Sequence, residues 1–193
     1  MSRRALLITS IAVVAVVLSA VLVIVQRVLP RWSSRATTRA VAAASPTAPA
    51  APGRKIKARL FYVADDGMRL TSIERDIAYG EGALEQAREI IAAQIAPVVE
   101  PLVSAIPPQT KLRAVFLTEG GEAYVDLSVE VKSTHPGGTV NELLTVFTLV
   151  NALTANLPAV TAVQLLVEGK EVDTLSGHVD LRRPVVKNLA WVQ

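Results

Sequence analysis

A few hydroxyl, histidine and acidic side chains are the residues of this chain that could do chemistry. Ser128, His178 and either Asp126 or Asp180 are the types that a hydrolase uses as nucleophile, base and orienting carboxylate. Ser128, however, does not lie in the glycine-flanked turn that presents such a nucleophile. Asp126 and Ser128, at the end of a predicted strand, are more simply a turn or cap that accepts backbone amide hydrogen bonds. We expect that structural role and keep hydrolysis as a minor alternative.

The histidines do not predict a metal site. His135 and His178 are 43 residues apart and the chain has no cysteine, whereas zinc takes three or four ligands that are usually closely spaced. Gly137-Gly138 lacks the lysine and hydroxyl residue of a phosphate-binding loop, and Asp65-Asp66 is typical of a turn. We therefore predict no catalytic residue, no metal and no cofactor, and we expect His135 to lie in a loop and His178 to make a structural hydrogen bond.

An apolar run near the amino terminus predicts a membrane anchor. It starts at Ala5, ends at Val25 and contains no charged residue. At about 1.5 Å per residue a helix of this length spans about 31 Å, close to the ~30 Å hydrocarbon thickness of a bilayer. The alternative is a cleavable secretory signal cut at Ala40-Val41-Ala42, but signal cores run only about 7 to 15 residues. We predict an uncleaved single-pass transmembrane helix within residues 1–30.

Charge separates this anchor from the rest of the chain. Seven arginines and no acidic residue precede Lys55, whereas all 17 acidic residues and the other 13 of the 20 basic residues follow, a net charge of −4. A negative domain repels nucleic acid, and the arginines suit anionic lipid headgroups. We expect the membrane, and not nucleic acid, as a partner. These charges do not settle the side of the membrane, because large following domains are translocated largely regardless of them.

The remaining chain divides into a linker and one domain. Residues 31–54 are rich in alanine and contain Pro46, Pro49 and Pro52, which is typical of an extended tether. Residues 55–193 have the size of one globular domain. Strand and helix patterns alternate along it, which predicts an α+β fold with about two helices packed on a hairpin-rich sheet.

Turns that combine an acidic residue with glycine place the predicted strands in three hairpins. The paired segments are 57–63 with 70–79, 112–117 with 122–127, and 162–167 with 171–175.

Apolar residues at helical spacing predict the two helices. The first covers residues 81–96 and stops before Pro97. Its expected apolar face is formed by Leu84, Ala87, Ile91 and Ile95. The second begins after Thr139 and ends before Pro158. Thr139 and Glu142 have the spacing of a capping box, so we expect their side chains to cap the start of this helix.

Four segments, in order, resemble the GerMN domain family, named after the bacterial sporulation and germination protein GerM. They are IPPQTKL at 106–112, AYVDLS at 123–128, VQLLVEGK at 163–170 and LSGHVDL at 175–181. The resemblance extends from Lys57 to Pro184 and includes Arg75. The chain departs from the family at Ala96-Pro97, where Gly-Pro is frequent, and in lacking the lipidated cysteine of many members.

The resemblance implies an extracytoplasmic location and a fold similar to the small modules that build rings in bacterial secretion and sporulation complexes. It supplies no catalytic residues. We therefore expect a non-catalytic module of the cell envelope that binds other proteins or itself, because sheets built from hairpins leave unpaired strand edges. The alternative is binding of cell-wall glycan or a small ligand in a polar groove with Trp191, the aromatic that we expect to be accessible, at its rim. Hydrolysis by Asp126 and His178 is the minor alternative.

Overall fold

The computed structural model describes residues 53–193. The predicted transmembrane helix and the linker up to residue 52 lie outside the described residues. Within 53–193, no helix combines the length and the hydrophobicity needed to cross a bilayer.

The described chain alternates strands and helices. The strands are β1 (Lys55–Val63), β2 (Leu70–Ala78), β3 (Leu112–Leu117), β4 (Glu122–Leu127), β5 (Ala162–Val167), β6 (Lys170–Glu171) and β7 (Val185–Val186). The helices are α1 (Gly82–Ile95), α2 (Glu130–Ser133) and α3 (Thr139–Asn156), and a 3-10 turn at Leu189–Trp191 follows β7. The predicted α+β class and the two main helices are confirmed.

The strands form two sheets. β1 and β2 make an antiparallel hairpin, with Lys55 opposite Ala78 and Val63 opposite Leu70. The larger sheet has the order β3-β4-β5, and β6 and β7 both pair with the remaining edge of β5. β3 and β4 are antiparallel, whereas β4 and β5 are parallel. A parallel pair needs a long crossover, which α2 and α3 supply.

The third predicted hairpin is wrong in its second strand. β6 has only two residues, and the chain from 172 to 175 is not a strand. The reason is a competing contact, because residues 175–178 turn away from the sheet to hydrogen-bond the side chain of Glu142. The short helix α2 was also not predicted.

Helices α1 and α3 lie between the hairpin and the larger sheet. α3 contacts β1 and β5, and α1 contacts β3, α3 and both strands of the hairpin. The core between these layers is fully buried and includes Leu60, Tyr62, Ile90, Ile91, Val125, Leu149, Leu153 and Leu165.

The predicted apolar face of α1 needs one correction. Leu84 is 41% exposed, while Gln86 and Gln94 are buried. The helix is turned in this way because both glutamines bind strand backbone: Gln94 contacts Phe61 of β1, and Gln86 contacts Ala78 at the end of β2.

Candidate functional site

α3 carries buried polar side chains at intervals of three residues, a polar row that winds around the helix because three residues fall short of a full turn. They are Glu142, Thr145, Thr148, Asn151 and Thr154. Thr145 Oγ1 lies 2.6 Å from the carbonyl oxygen of Ala105, and Asn151 exchanges hydrogen bonds of 2.9 and 3.1 Å with the backbone of Asn188. Because these contacts reach loops far away in sequence, Thr145 and Asn151 of this polar row hold irregular segments of the domain against α3.

Glu142 is the acidic member of this polar row. It does not form the predicted capping box with Thr139. The residue before α3 is Gly138, and no side chain caps the helix there. The Glu142 carboxylate is instead fully buried. It accepts hydrogen bonds from Leu175 N at 2.8 Å, Ser176 Oγ at 3.0 Å and His178 N at 2.8 Å. The side chain points to the 175–178 segment because three donors converge there.

These hydrogen bonds hold Glu142 in its charged form. Burial raises the pKa of the carboxyl, but the hydrogen bonds from Ser176, His178 and Leu175 outweigh burial and bring the pKa down to about 2. The ring Nδ1 of His178 also lies 3.2 Å from Glu142 Oε2. His178 therefore makes structural hydrogen bonds, as predicted.

His135 lies in the loop before α3, as predicted, and its ring is fixed on both sides. Its Nδ1 accepts a 3.0 Å hydrogen bond from Gly137 N, and its Nε2 lies 3.1 Å from Thr145 Oγ1. Since Nδ1 is an acceptor, the proton of the neutral ring is assigned to Nε2. Burial lowers the pKa of His135, so the loop is built around the neutral ring.

The residues considered for hydrolysis are each engaged elsewhere. Ser128 Oγ accepts from Lys111 N at 2.9 Å, and Asp180 is paired with Arg182 at 2.8 Å. His178 binds Glu142 and contacts neither Ser128 nor an aspartate. The structure therefore does not assemble the serine, histidine and aspartate of a hydrolase. In residues 53–193 there is also no cluster of three or more histidine or acidic side chains that could hold a metal ion.

Asp126 belongs to an ion cluster that ties two turns together. Its Oδ2 accepts from Arg113 Nε at 3.0 Å, and its Oδ1 accepts from Gly169 N at 2.7 Å. Arg113 also bonds Glu168, at 2.7 Å, and Glu168 accepts from Val129 N at 3.0 Å. The expected structural role of Asp126 is thus realised, although its amide partner is 43 residues away.

The strand edges differ in how their backbone groups are satisfied. On the outer edge of β1, Gln94 receives a 2.9 Å hydrogen bond from Phe61 N and returns one of 2.8 Å to Phe61 O. Asn156 does the same for Arg59, at 2.8 Å in both directions. Two side-chain amides therefore take the place of a neighbouring strand, and this edge is closed.

The outer edge of β2 is closed only at its ends. Leu70 O accepts from Gln193 N, and Ala78 O accepts from Gln86 Nε2. Between these points, Glu74 and Asp76 place acidic side chains on the strand. Charged side chains are one of the devices that protect an edge strand from pairing with another chain.

The outer edge of β3 is covered at its centre, where Val115 is fully buried, and Leu117 is half-buried. Phe116 lies opposite Tyr124, and Thr118 N donates to Glu122 O at 2.9 Å. The alternation of an antiparallel ladder then directs the backbone groups of Val115 and Leu117 away from β4. No hydrogen-bond partner for these groups exists within residues 53–193. Residues 114–118 contain no charge and no proline.

An exposed aromatic side chain lies on β3 itself. Residues opposite each other in a sheet share a face, so Phe116 and Tyr124 lie on the face that points away from the helices, opposite to the buried Val115 and Val125. Phe116 is 56% exposed. The expectation that Trp191 would be the accessible aromatic is wrong, because its ring is half-buried against the core.

An apolar groove of about 250 Å³ lies at the end of β3. It is lined by residues from the start of α1, the β3–β4 turn and the segment after α3, including Ala83, Leu117, Thr118, Pro158 and Val160. Trp191 is not among the residues that line this groove.

The structure defines a small α+β module with an exposed aromatic side chain on the outer face of its larger sheet and, among its described residues, no assembled catalytic or metal group. Residues 59–173 match the Germane family, whose description is sporulation and spore germination, and the chain belongs to this family. The resemblance to GerMN domains is thereby confirmed.

Solved structures are similar to this chain at low sequence identity. The tandem GerMN domains of the sporulation protein GerM from Bacillus subtilis are 16% identical with a TM-score of 0.50, covering 69% of this chain and 46% of that one. The first GerMN domain of the same protein is 18% identical with a TM-score of 0.49, covering 69% and 98%. A Clostridium perfringens protein described as a lipoprotein is 22% identical with a TM-score of 0.49, covering 69% and 88%. No curated protein sequence matches the chain significantly.

Proposed function

We propose that this protein is a single-pass membrane protein of the bacterial cell envelope whose GerMN domain, outside the cytoplasmic membrane, binds other proteins or copies of itself without catalysing a reaction. The observation that carries the proposal is the exposed ring of Phe116, on the face of the larger sheet that points away from the helices. An exposed aromatic on a sheet face supplies apolar contact area to a partner.

Three further observations support the proposal. The apolar run that starts at Ala5 has the length of a membrane span. The family to which the chain belongs is described by sporulation and spore germination, which are processes of bacterial cells. Asp126, Ser128 and His178, the residues that could have formed a catalytic group, are committed to structural hydrogen bonds.

Site-specific photo-crosslinking in intact cells tests this function. A photoreactive amino acid replaces Phe116 in one variant of the full-length protein and Glu171, which is exposed at the far side of the sheet, in a matched control. We expect protein adducts from position 116 in clear excess over position 171. Equal yields at the two positions would contradict the proposal.

The same full-length protein is also incubated with isolated cell-wall material. Retention on the wall that survives replacement of Phe116, together with no adduct at that position, would favour glycan binding over protein binding.

A further inference from the structure

We propose that residues 182–189, at and around β7, form a docking surface for the anionic phospholipid headgroups of a bilayer. We call these residues the β7 patch. The inference rests on the membrane location in the proposed function and adds a second membrane contact to the predicted transmembrane helix. It does not depend on the partner that binds at Phe116.

Basic charge is concentrated in this part of the domain. Residues 55–180 contain ten basic and 17 acidic side chains, a net charge of −7. Residues 181–193 contain three basic side chains, Arg182, Arg183 and Lys187, and no acidic one. The β7 patch is therefore positive on a domain that is otherwise negative. An anionic bilayer repels most of this domain and attracts the β7 patch, which would set the orientation of the domain on the membrane.

Two of the three basic side chains have no ionic partner among the described residues. Arg182 is paired with Asp180 at 2.8 Å. Arg183 and Lys187 are exposed and form no ion pair within residues 53–193. They flank β7, and their separation of four residues corresponds to about 13 Å of extended chain. Both side chains can therefore contact one lipid surface at the same time.

The arginines also line a cleft in which a headgroup could bind. The cleft has a volume of about 450 Å³, and its walls are the exposed residues Asp180, Arg182 and Arg183. A guanidinium group binds phosphate oxygens through two parallel hydrogen bonds. Arg183 can therefore bind the phosphate of a lipid headgroup while Arg182 stays paired with Asp180.

Exposed apolar side chains lie among these charges. Val186 of β7 is 63% exposed, and Leu189 is also exposed. Surfaces that lie in the interfacial region of a bilayer combine basic residues with apolar ones, because the apolar side chains insert between headgroups. Val186 and Leu189 therefore favour a lipid surface over a soluble polyanion, which would bind the charges alone.

The position of the β7 patch suits a domain tethered through its amino-terminal side. The chain enters the domain at Arg54, whose guanidinium carbon lies 4.0 Å from the centre of the Tyr79 ring, just before α1. The start of α1 and the segment before β5 line the same apolar groove, and β7 pairs with β5 at its first residue, Ala162. The chain entry and the β7 patch are thus at the same end of the domain.

The predicted linker would keep this end close to the bilayer. A flexible segment of 22 residues, the length of 31–52, has an end-to-end distance of about 25 Å. Tethering at this distance raises the effective concentration of lipid at the β7 patch and favours a contact that is weak in solution.

Docking through the β7 patch leaves Phe116 available to a protein partner. The strands follow the order β3-β4-β5, with β7 on the outer side of β5. Phe116 on β3 is therefore three strands from β7, or about 14 Å. The lipid contact and the proposed protein contact can form together.

Fluorescence quenching by labelled lipids tests the docking. The chain has no cysteine, so Val186→Cys provides a single site for a fluorophore in the full-length protein. The control is Met68→Cys, which is similarly exposed, at 54%, in the β1–β2 turn at the other end of the hairpin from Arg54. Both proteins are reconstituted into vesicles that carry a quencher on some headgroups and consist of phosphatidylcholine with or without phosphatidylglycerol.

We expect quenching at position 186 to be several-fold stronger than at position 68 when phosphatidylglycerol is present, and similar at both positions when it is absent. High salt should weaken the difference, because it screens the exposed charges.

A charge variant tests the basic residues of the β7 patch. Arg183→Gln with Lys187→Gln removes the two charges that lack an ionic partner, and Lys57→Gln with Lys111→Gln removes two exposed charges elsewhere. Each basic residue near an anionic surface contributes about fivefold to binding. The first pair should lower the ratio of docked to undocked domain roughly 25-fold, and the second pair should change it by less than about fivefold. Circular dichroism confirms that each variant is folded.

The quenching results decide the inference. Quenching at position 186 that requires phosphatidylglycerol and is lost with Arg183 and Lys187 supports lipid docking. Quenching that is equal at positions 186 and 68, or unchanged by the lipid or by the first charge variant, overturns it. If quenching is absent but a photoreactive amino acid at position 186 gives protein adducts in cells, the β7 patch binds a protein and the lipid assignment is overturned.

Flotation of the same vesicles tests the membrane span separately. Protein that floats with phosphatidylcholine vesicles but shows no quenching difference retains the span and overturns only the docking. Protein that floats only with vesicles containing phosphatidylglycerol retains the docking and overturns the span. Protein that floats with neither kind of vesicle overturns both.

Discussion

Replacing Glu142 by glutamine tests the explanation of how α3 holds the 175–178 segment. The carboxylate is fully buried and accepts three hydrogen bonds from Leu175, Ser176 and His178. Its pKa is lowered from 4.5 to about 2, and one pKa unit corresponds to about 1.4 kcal/mol, so the charged form contributes about 3 kcal/mol to stability. The amide of Glu142→Gln removes the charge and presents donors to donors. We expect a loss of about 2 to 4 kcal/mol in the free energy of unfolding.

Urea unfolding of residues 53–193, which contain their own core, measures this loss. The control is Glu171→Gln, which removes an exposed glutamate and should change the free energy of unfolding by less than about 0.5 kcal/mol. A Glu142→Gln variant as stable as this control would refute the reasoning.

The contribution of the Glu142 charge to the free energy of unfolding should depend on pH. The folded pKa of Glu142 lies below its unfolded value of 4.5, so the stabilisation is complete above about pH 5 and is lost as the pH falls through 4.5 towards 2. The difference in stability between wild type and Glu142→Gln should therefore be constant from pH 7 to about 5 and shrink below that. A difference that does not vary with pH between 7 and 3 would show that the charge is not responsible.

Three further substitutions test other contacts by chemical denaturation. Gln94→Ala removes both hydrogen-bond partners of the Phe61 backbone and should lower the free energy of unfolding by about 2 to 4 kcal/mol. Arg113→Met leaves the buried carboxylate of Asp126 without its charged partner and should cost about 1 to 3 kcal/mol. Burial lowers the pKa of His135, so protonation favours the unfolded chain. Stability should fall as the pH drops below about 6.5, and His135→Gln should lack this dependence.

Gln94→Ala has a matched control on the same helix, and each of the three substitutions has a result that would contradict its explanation. Arg88→Ala, on the exposed side of α1, controls for the change in helix composition and should be nearly neutral. A neutral Gln94→Ala would mean that the β1 edge does not need its side-chain cap. An Arg113→Met variant of unchanged stability would mean that Asp126 is satisfied by Gly169 alone. An unchanged pH profile in His135→Gln would assign that dependence to another group.

Local pairings were predictable from the sequence, whereas distant ones were not. The first two hairpins were predicted correctly because their strands are joined by short turns. In the first turn, for example, the carboxylate of Asp66 accepts from Met68 N and Arg69 N, both within three residues. The parallel pairing of β4 with β5 joins segments separated by two helices. No short-range pattern reports such a pairing, so the hairpin-rich sheet was only partly predicted.

The buried polar residues explain most of the remaining differences. Glu142 has the spacing of a capping box with Thr139, but its partners are more than 30 residues away, and spacing alone cannot distinguish the two uses. Gln86 and Gln94 were not assigned to the buried face of α1 because a periodicity of apolar residues does not count them. Trp191 was assigned the wrong exposure because it lies near the chain end, whereas the 3-10 turn that contains it packs against the core.

The location of the domain is the premise on which the proposed function depends, and one labelling measurement tests it directly. Ser133 is exposed at the end of α2, and Ser133→Cys introduces the only thiol of the chain. A membrane-impermeant thiol reagent is added to intact cells and, separately, to lysed cells. We predict labelling in intact cells at the level seen after lysis. Labelling only after lysis would place the domain in the cytoplasm and contradict the proposed role in the envelope.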